Sequence, residues 1–193
     1  ILTCDNGIAA ISQIARAKEL GMTVIVTDHH DILTEDSETP EGREMLPPAD
    51  AVVNPKRRDS LYPFPDICGG MVAYKLVQVL YEVHKIPGEE WLGLLEIAAI
   101  ATVGDVMKLQ GENRILVKEG LSRLGHTSKL GLRKLLEKNN LHAGSLTAYH
   151  IGFVIGPCLN ASGRLQPAKI AHGLLLCEDE GEAARMAEEL KRL

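Results

Sequence analysis

Two short β-branched runs separated by a single helix-length segment constrain this chain more than any other feature. Ile1 to Cys4 is apolar and β-compatible, Asp5-Asn6-Gly7 supplies turn chemistry, and Ile8, Ile11, Ile14 and Ala15 recur at helical spacing until Gly21. Met22 to Thr27 (MTVIVT) is long enough for a buried strand and ends at Asp28-His29-His30. A connection of this length between two strands reads as a βαβ crossover, which makes the strands parallel members of one sheet. Open parallel sheets bind their ligands beyond the carboxyl ends of the strands. Asp5 and His29 are therefore predicted at one functional rim.

Downstream, Asp31 to Pro48 gathers acids around a single basic residue, Arg43, and reads as a solvated loop. Asp50 to Asn54 is a third predicted strand, and Pro55 to Pro65 is irregular, with Lys56-Arg57-Arg58 as its basic triplet. Gly69-Gly70 opens a helical pattern that runs to Leu80, and Trp91 to Thr102 is a helix so apolar that it belongs in an interior. Helical periodicity then marks Ile115–Leu124, Leu130–Leu136, His150–Ile155, Ala168–Leu176 and Glu182–Leu193. The fold class is α/β: a parallel sheet with flanking helices over residues 1–110, followed by a mainly helical portion over 111–193 that leads into a connecting helix.

The composition narrows the function classes. No apolar run approaches the roughly 18 residues of a membrane span, and nothing resembles a secretory signal, so a cytoplasmic protein with no membrane partner is expected. Cys4, Cys68, Cys158 and Cys177 are widely spaced, which fits reduced thiols better than a zinc cluster or a disulfide frame. A net charge of −5 excludes a global basic field for nucleic acid. Any phosphate contact must be local, and carboxylates gathered around divalent cations would account for part of the negative charge. The chain opens at Ile1 in mid-strand without an initiator Met, and is expected to be part of something larger.

Four constellations could carry chemistry. Asp28-His29-His30 sets a carboxylate and two imidazoles at the rim; because alternate strand residues face opposite ways, one of the two histidines is expected to reach a metal unless the chain has already turned. His29 is the candidate ligand and His30 the group that touches substrate or moves a proton. Asp5 can bridge two hard cations about 3.5 to 4 Å apart, or it can simply cap a turn. Asp105 leaves the apolar helix after Gly104, which is expected to permit a sharp exit; ordinary helix termination is the bland alternative. Finally, Gly156 to Arg164 (GPCLNASGR) reads as a loop of small residues around an amide, a hydroxyl and a guanidinium, suited to phosphate oxygens.

Taken in order, Cys4-Asp5-Asn6-Gly7, Thr27-Asp28-His29-His30, Cys68-Gly69-Gly70-Met71-Val72-Ala73-Tyr74-Lys75-Leu76, Ala101-Thr102-Val103-Gly104-Asp105, Gly111-Glu112-Asn113-Arg114 and Asn160-Ala161-Ser162-Gly163-Arg164 resemble the successive motifs of the DHH phosphoesterase superfamily, most closely its RecJ branch. The resemblance implies a hydrolase with two Mn2+ or Mg2+ ions, bound by Asp5, His29 and Asp105. It implies catalytic roles for His30 and Asp28, and substrate-phosphate contacts from Asn160, Ser162, Gly163 and Arg164. The implied activity is 5′ to 3′ exonucleolytic hydrolysis of single-stranded DNA in repair and recombination, with single-stranded DNA as partner and single-strand-binding protein or a helicase as companions. A phosphodiesterase of short oligonucleotides or cyclic dinucleotides, and a catalytically silent scaffold, stay open as alternatives. The family's first motif, a strand ending in closely spaced aspartates, would precede Ile1, and its absence is expected to impair these residues in isolation.

Overall fold

The structure is a computed structural model. It describes residues 1–35, 42–87, 90–165 and 168–193, the side chains of 161–165 excepted. It divides into two compact units, Ile1–Trp91 with Gln110–Asn113, and Leu92–Leu109 with Arg114–Leu193.

In the first unit, α1 (Ile11–Glu19) links the opening segment to β1 (Ile25–Thr27), which pairs in parallel with β2 (Ala51–Val53). Thr3 N–H donates to Ile25 O and Ile25 N–H to Ile1 O, so Leu2 forms a parallel bridge with Ile25 on the other side of β1. The parallel arrangement read from the sequence holds. The second strand is shorter than the MTVIVT run because its first residues serve other ends. Met22 N–H donates to Ala17 O and Gly21, at φ +77°, donates to Lys18 O, the paired bonds of a Schellman cap. Val24 N–H then donates to the Asp50 carboxylate at 2.7 Å, so strand pairing starts at Ile25. Ile14, Val24 and Val26 form the small core under the sheet.

Two features fix the outer part of this unit. Arg57 Nη1 donates to Val52 O at 2.6 Å, on the side of β2 away from β1, while its guanidinium also pairs with Asp59. α2 (Gly69–Val83) begins at Cys68, whose buried thiol accepts from Met71 N–H at 3.4 Å, and it buries Met71, Val72 and Tyr74. The Gly111-Glu112-Asn113 turn belongs here too: Tyr62 donates to Glu112 at 2.5 Å, Lys75 pairs with Glu112, and Asn113 Nδ2 donates to Asp66 O at 2.7 Å.

The second unit is helical: α3 (Leu95–Gly104), the remainder of α4 (Gly111–Leu124), α5 (Leu130–Lys138), α6 (Ala148–His150), a π-helical turn Ile151–Ile155, α7 (Gly156–Leu165), α8 (Lys169–Leu176) and α9 (Glu180–Arg192). Residues 92–109, which the sequence groups with the α/β part, fall in this unit because α3 is apolar on all sides, with Ile97, Ile100 and Val103 joining its core. That core centres on Leu124, Leu132, Leu135, Ile151, Ile155, Leu174 and Leu190. Gly131 lets α5 touch α8, since a β-carbon there would overlap Leu174 O. Buried Glu96 is paired, at 3.1 Å from Lys129 Nζ and accepting from Thr127 Oγ1 at 2.8 Å.

The expected loop at Gly156 to Arg164 is instead helix. Pro157 has no N–H to give and would clash with the carbonyl four residues back, so a regular helix would break there. The π turn absorbs the defect: Gly156 N–H donates five residues back to Ile151 O, and a β-carbon on Gly156 would lie 2.8 Å from that oxygen. Helix therefore continues through Leu165.

Candidate metal centre

Asp5 leaves the first extended segment in a left-handed conformation, φ +58°, unusual for any residue but glycine and stabilised only by its surroundings. Thr3 Oγ1 donates to Asn6 O at 2.7 Å across the turn, and Gly7, at φ +111°, closes it where a β-carbon would press on Thr3 and Val26. The resulting turn holds the Asp5 carboxylate, half exposed, with Oδ1 3.0 Å from Nε2 of buried His29. A nearby constraint comes from α2: a β-carbon on Gly69 would lie 2.6 Å from the Asp5 Cα. Only glycine permits that approach.

Asp28 is almost fully buried and accepts from four donors: Ile8 N–H at 2.9 Å on Oδ2, then His29 N–H at 2.8 Å, His30 N–H at 3.2 Å and His30 Nδ1 at 2.7 Å on Oδ1. Burial alone would raise its pKa, but these hydrogen bonds outweigh it and hold the carboxyl below its ordinary range. By folding the chain over its own side chain, Asp28 ends the strand at Thr27. The alternation that would send the two imidazoles to opposite faces no longer applies, and the His29 and His30 rings lie 4.5 Å apart. Ligand atoms of Asp5, His29 and His30 fall within 4.8 Å of one another. Asn54, buried at the end of β2, donates from Nδ2 to His30 O at 3.0 Å and fixes the second histidine's main chain.

The donor set suits a hard divalent cation such as Mn2+ or Mg2+: carboxylate oxygen is a preferred donor for both, and imidazole is a common companion for transition ions. Among the described residues, Asp5, His29 and His30 of this unit could offer the donor atoms to hold it. Asp105 lies in the second unit as the exposed C-cap of α3, its N–H on Ala101 O. The sharp exit expected at Gly104 is made two residues later. Val106 takes φ +56° and Met107 N–H donates to Thr102 O, so a β-branched residue carries the left-handed turn. Asn160 is exposed on α7; the side chains of Ser162 and Arg164 and the surroundings of Gly163 lie outside what the structure describes. Because these residues sit in helix, Asn160, Ser162 and Arg164 would reach a phosphate with their side chains, while Gly163, which has none, would offer only its main chain.

Asn54 carries no chemical signal of its own in the sequence. Gly69 enters there as part of the Cys68-Gly69-Gly70 motif at the head of a helix, with nothing local to tie it to Asp5.

Residues 1–102 match the family model described as the DHH family, N-terminal domain. The whole chain is 40% identical over 193 residues to the single-stranded-DNA-specific exonuclease RecJ of Bacillus subtilis, of which it spans 22%. It superposes on RecJ of Thermus thermophilus in complex with Mn2+ at a TM-score of 0.81 and 35% identity, covering 99% of this chain and 27% of that one. The Mg2+ complex from the same organism gives 0.69 and 32%, over 99% and 24%. With more than half its length, residues 1–102, matched by the family model, the chain belongs to the DHH family.

Proposed function

We propose that this chain carries part of the active site of a metal-dependent phosphodiesterase that degrades single-stranded DNA from the 5′ end, in repair and recombination. The observation that carries the reading is the 3.0 Å approach of Asp5 Oδ1 to His29 Nε2, with His30 beside them at the carboxyl ends of parallel strands. The relatives are named for single-stranded-DNA-specific exonuclease activity, and their solved structures contain Mn2+ or Mg2+.

Asp5 and His29 would hold a divalent ion, with Asp105 retained as a further ligand on the strength of its motif. Such ions supply Lewis acidity and a water of lowered pKa. The chain's own residues do the rest. Asp28, as a buried acceptor, keeps a proton on His30 Nδ1, and Nε2 is then the atom that, carrying a proton of its own in the imidazolium form, would donate to a phosphate oxygen. Asp28 is thus a positioning residue acting through His30. Asn54 holds the same imidazole from the main-chain side. Asn160, Ser162, Gly163 and Arg164 are assigned to substrate phosphates.

Single-stranded DNA is the proposed partner, with single-strand-binding protein or a helicase delivering it in the cytoplasm. Among the described residues no helix is long and apolar enough to cross a membrane, and the cysteines are free thiols. The test is nuclease activity of the intact protein on a long 5′-labelled single strand and on a dinucleotide, for wild type, Asp5→Ala and His29→Ala. Both variants are expected to lose activity by several orders of magnitude. Undiminished cleavage in either would sink the mechanism, and preference for the dinucleotide would sink the substrate.

A further inference from the structure

The chain has one Trp, four Tyr and two Phe. Tyr62, Phe64, Tyr74, Tyr81 and Trp91 are buried or half-buried, whereas Tyr149 and Phe153 are 63% and 71% exposed. These two do not stand apart as scattered surface residues. Four positions apart on one helical run, their rings stack with centroids 4.9 Å apart and planes 28° from parallel. His150 meets Tyr149 edge-on at 5.7 Å, and its Nδ1 accepts from Thr147 N–H at 3.1 Å, which caps α6 and holds the imidazole in place.

Several independent observations point to a planar ligand. The two flat rings are stacked within 28° of parallel and open to solvent, so a further planar group can extend the stack. The run beneath it is anchored: Ile151 and Ile155 are buried in the helical core, and the π turn that they bracket is a conformation concentrated at functional sites. The same run leads to exposed Asn160, seven residues beyond Phe153 and roughly 10 Å along the axis.

We infer that Tyr149 and Phe153 form a stacking platform for a nucleobase of single-stranded nucleic acid, independent of base identity. Every base has a π-face, so aromatic stacking adds affinity without sequence readout, as a nuclease that must pass any sequence requires. The inference rests on the nucleic-acid reading above and adds to it a base contact where that reading has only phosphate contacts.

The test measures fluorescence anisotropy of the intact protein in EDTA, which prevents turnover, with labelled oligo(dT) and with an abasic sugar-phosphate strand of equal length. Tyr149→Ala/Phe153→Ala is expected to weaken oligo(dT) binding by about 5- to 150-fold and leave abasic-strand binding unchanged. Tyr149→Trp/Phe153→Trp is expected to retain wild-type affinity. Equal loss on both strands, or none on either, overturns the platform while leaving the phosphodiesterase reading intact. A fall of several degrees in the thermal midpoint with Phe153→Ser would show that another part of the protein covers the pair, and also overturns it. Failure of the wild type to bind oligo(dT) both in EDTA and with Ca2+ in place of the catalytic ion overturns both readings.

Discussion

A β-carbon on Gly69 would sit 2.4 Å from Oδ1 of Asp5, so the first residue of α2 exists as glycine to leave room for a carboxylate 64 positions earlier. Asp5 is already in a left-handed conformation, and any side chain at position 69 would push it out of the turn that sets its contact with His29. In an ordinary helix first turn, replacing glycine by alanine stabilises slightly. Here Gly69→Ala is expected to weaken Mn2+ binding by the intact protein roughly tenfold or more, as loss of ligand support generally does. Electron paramagnetic resonance titration of free Mn2+ reads it directly; unchanged affinity would separate Gly69 from the site.

Val106 holds the left-handed position after α3, where a β-branched side chain is strained by about 1–2 kcal/mol. It is 88% exposed, so its side chain gives up little packing when removed. Val106→Gly is expected to raise stability by roughly 1 kcal/mol, read from the urea midpoint of the intact protein. A lower midpoint would mean that the valine side chain contributes contacts outweighing the strain.

Burial and its hydrogen bond to Glu112 push the Tyr62 hydroxyl well above its ordinary pKa of 10.0. A group whose folded pKa is raised contributes stability that is complete below its unfolded value and lost as pH rises through the folded one. Stability is therefore expected to fall with increasing pH above about 10. Tyr62→Phe should flatten that decline, and absorbance titration of the phenolates should show one tyrosine ionising late. A wild-type curve matching that of Tyr62→Phe would refute the pairing.

Removing one partner of a buried ion pair costs far more than removing both. Lys129→Met strands the buried Glu96 carboxylate and is expected to destabilise by about 3–5 kcal/mol, whereas Glu96→Gln/Lys129→Met should recover most of the loss. Equilibrium denaturation of the single and double variants gives the coupling; additive losses would show that the pair carries no interaction.

How much of this was readable in advance follows from the range over which each constraint acts. The helical repeat of Ile11 and Ile14 and the β-branched MTVIVT run report local periodicity, and from them the parallel pairing and the meeting of Asp5 with His29 follow. What escaped was set by side chains folding back on the chain. Asp28 stands in the sequence as a group available for chemistry, yet the structure buries it as the acceptor for four donors, and that same wrapping brings His30 beside His29. Gly69 and Asn54 act across 64 and 24 positions, through space that no local pattern records. The segment from Gly156 to Arg164 read as a loop because Gly156-Pro157 normally breaks a helix, and a single turn of different hydrogen-bond register cancelled that signal.

Arg57 on the Val52 carbonyl has a consequence for the molecule in crowded solution. A short parallel sheet ending in an open row of amides and carbonyls is a template on which other polypeptides can add, which is how edge strands seed aggregation. Val53, beside it, is apolar and 41% exposed, which would favour such growth. With the outward carbonyl of β2 occupied and a guanidinium held across it by Asp59, an approaching strand meets charge and a lost acceptor. One arginine of the basic triplet is thus committed to the rim of the sheet, where it would meet any added strand with charge instead of an acceptor.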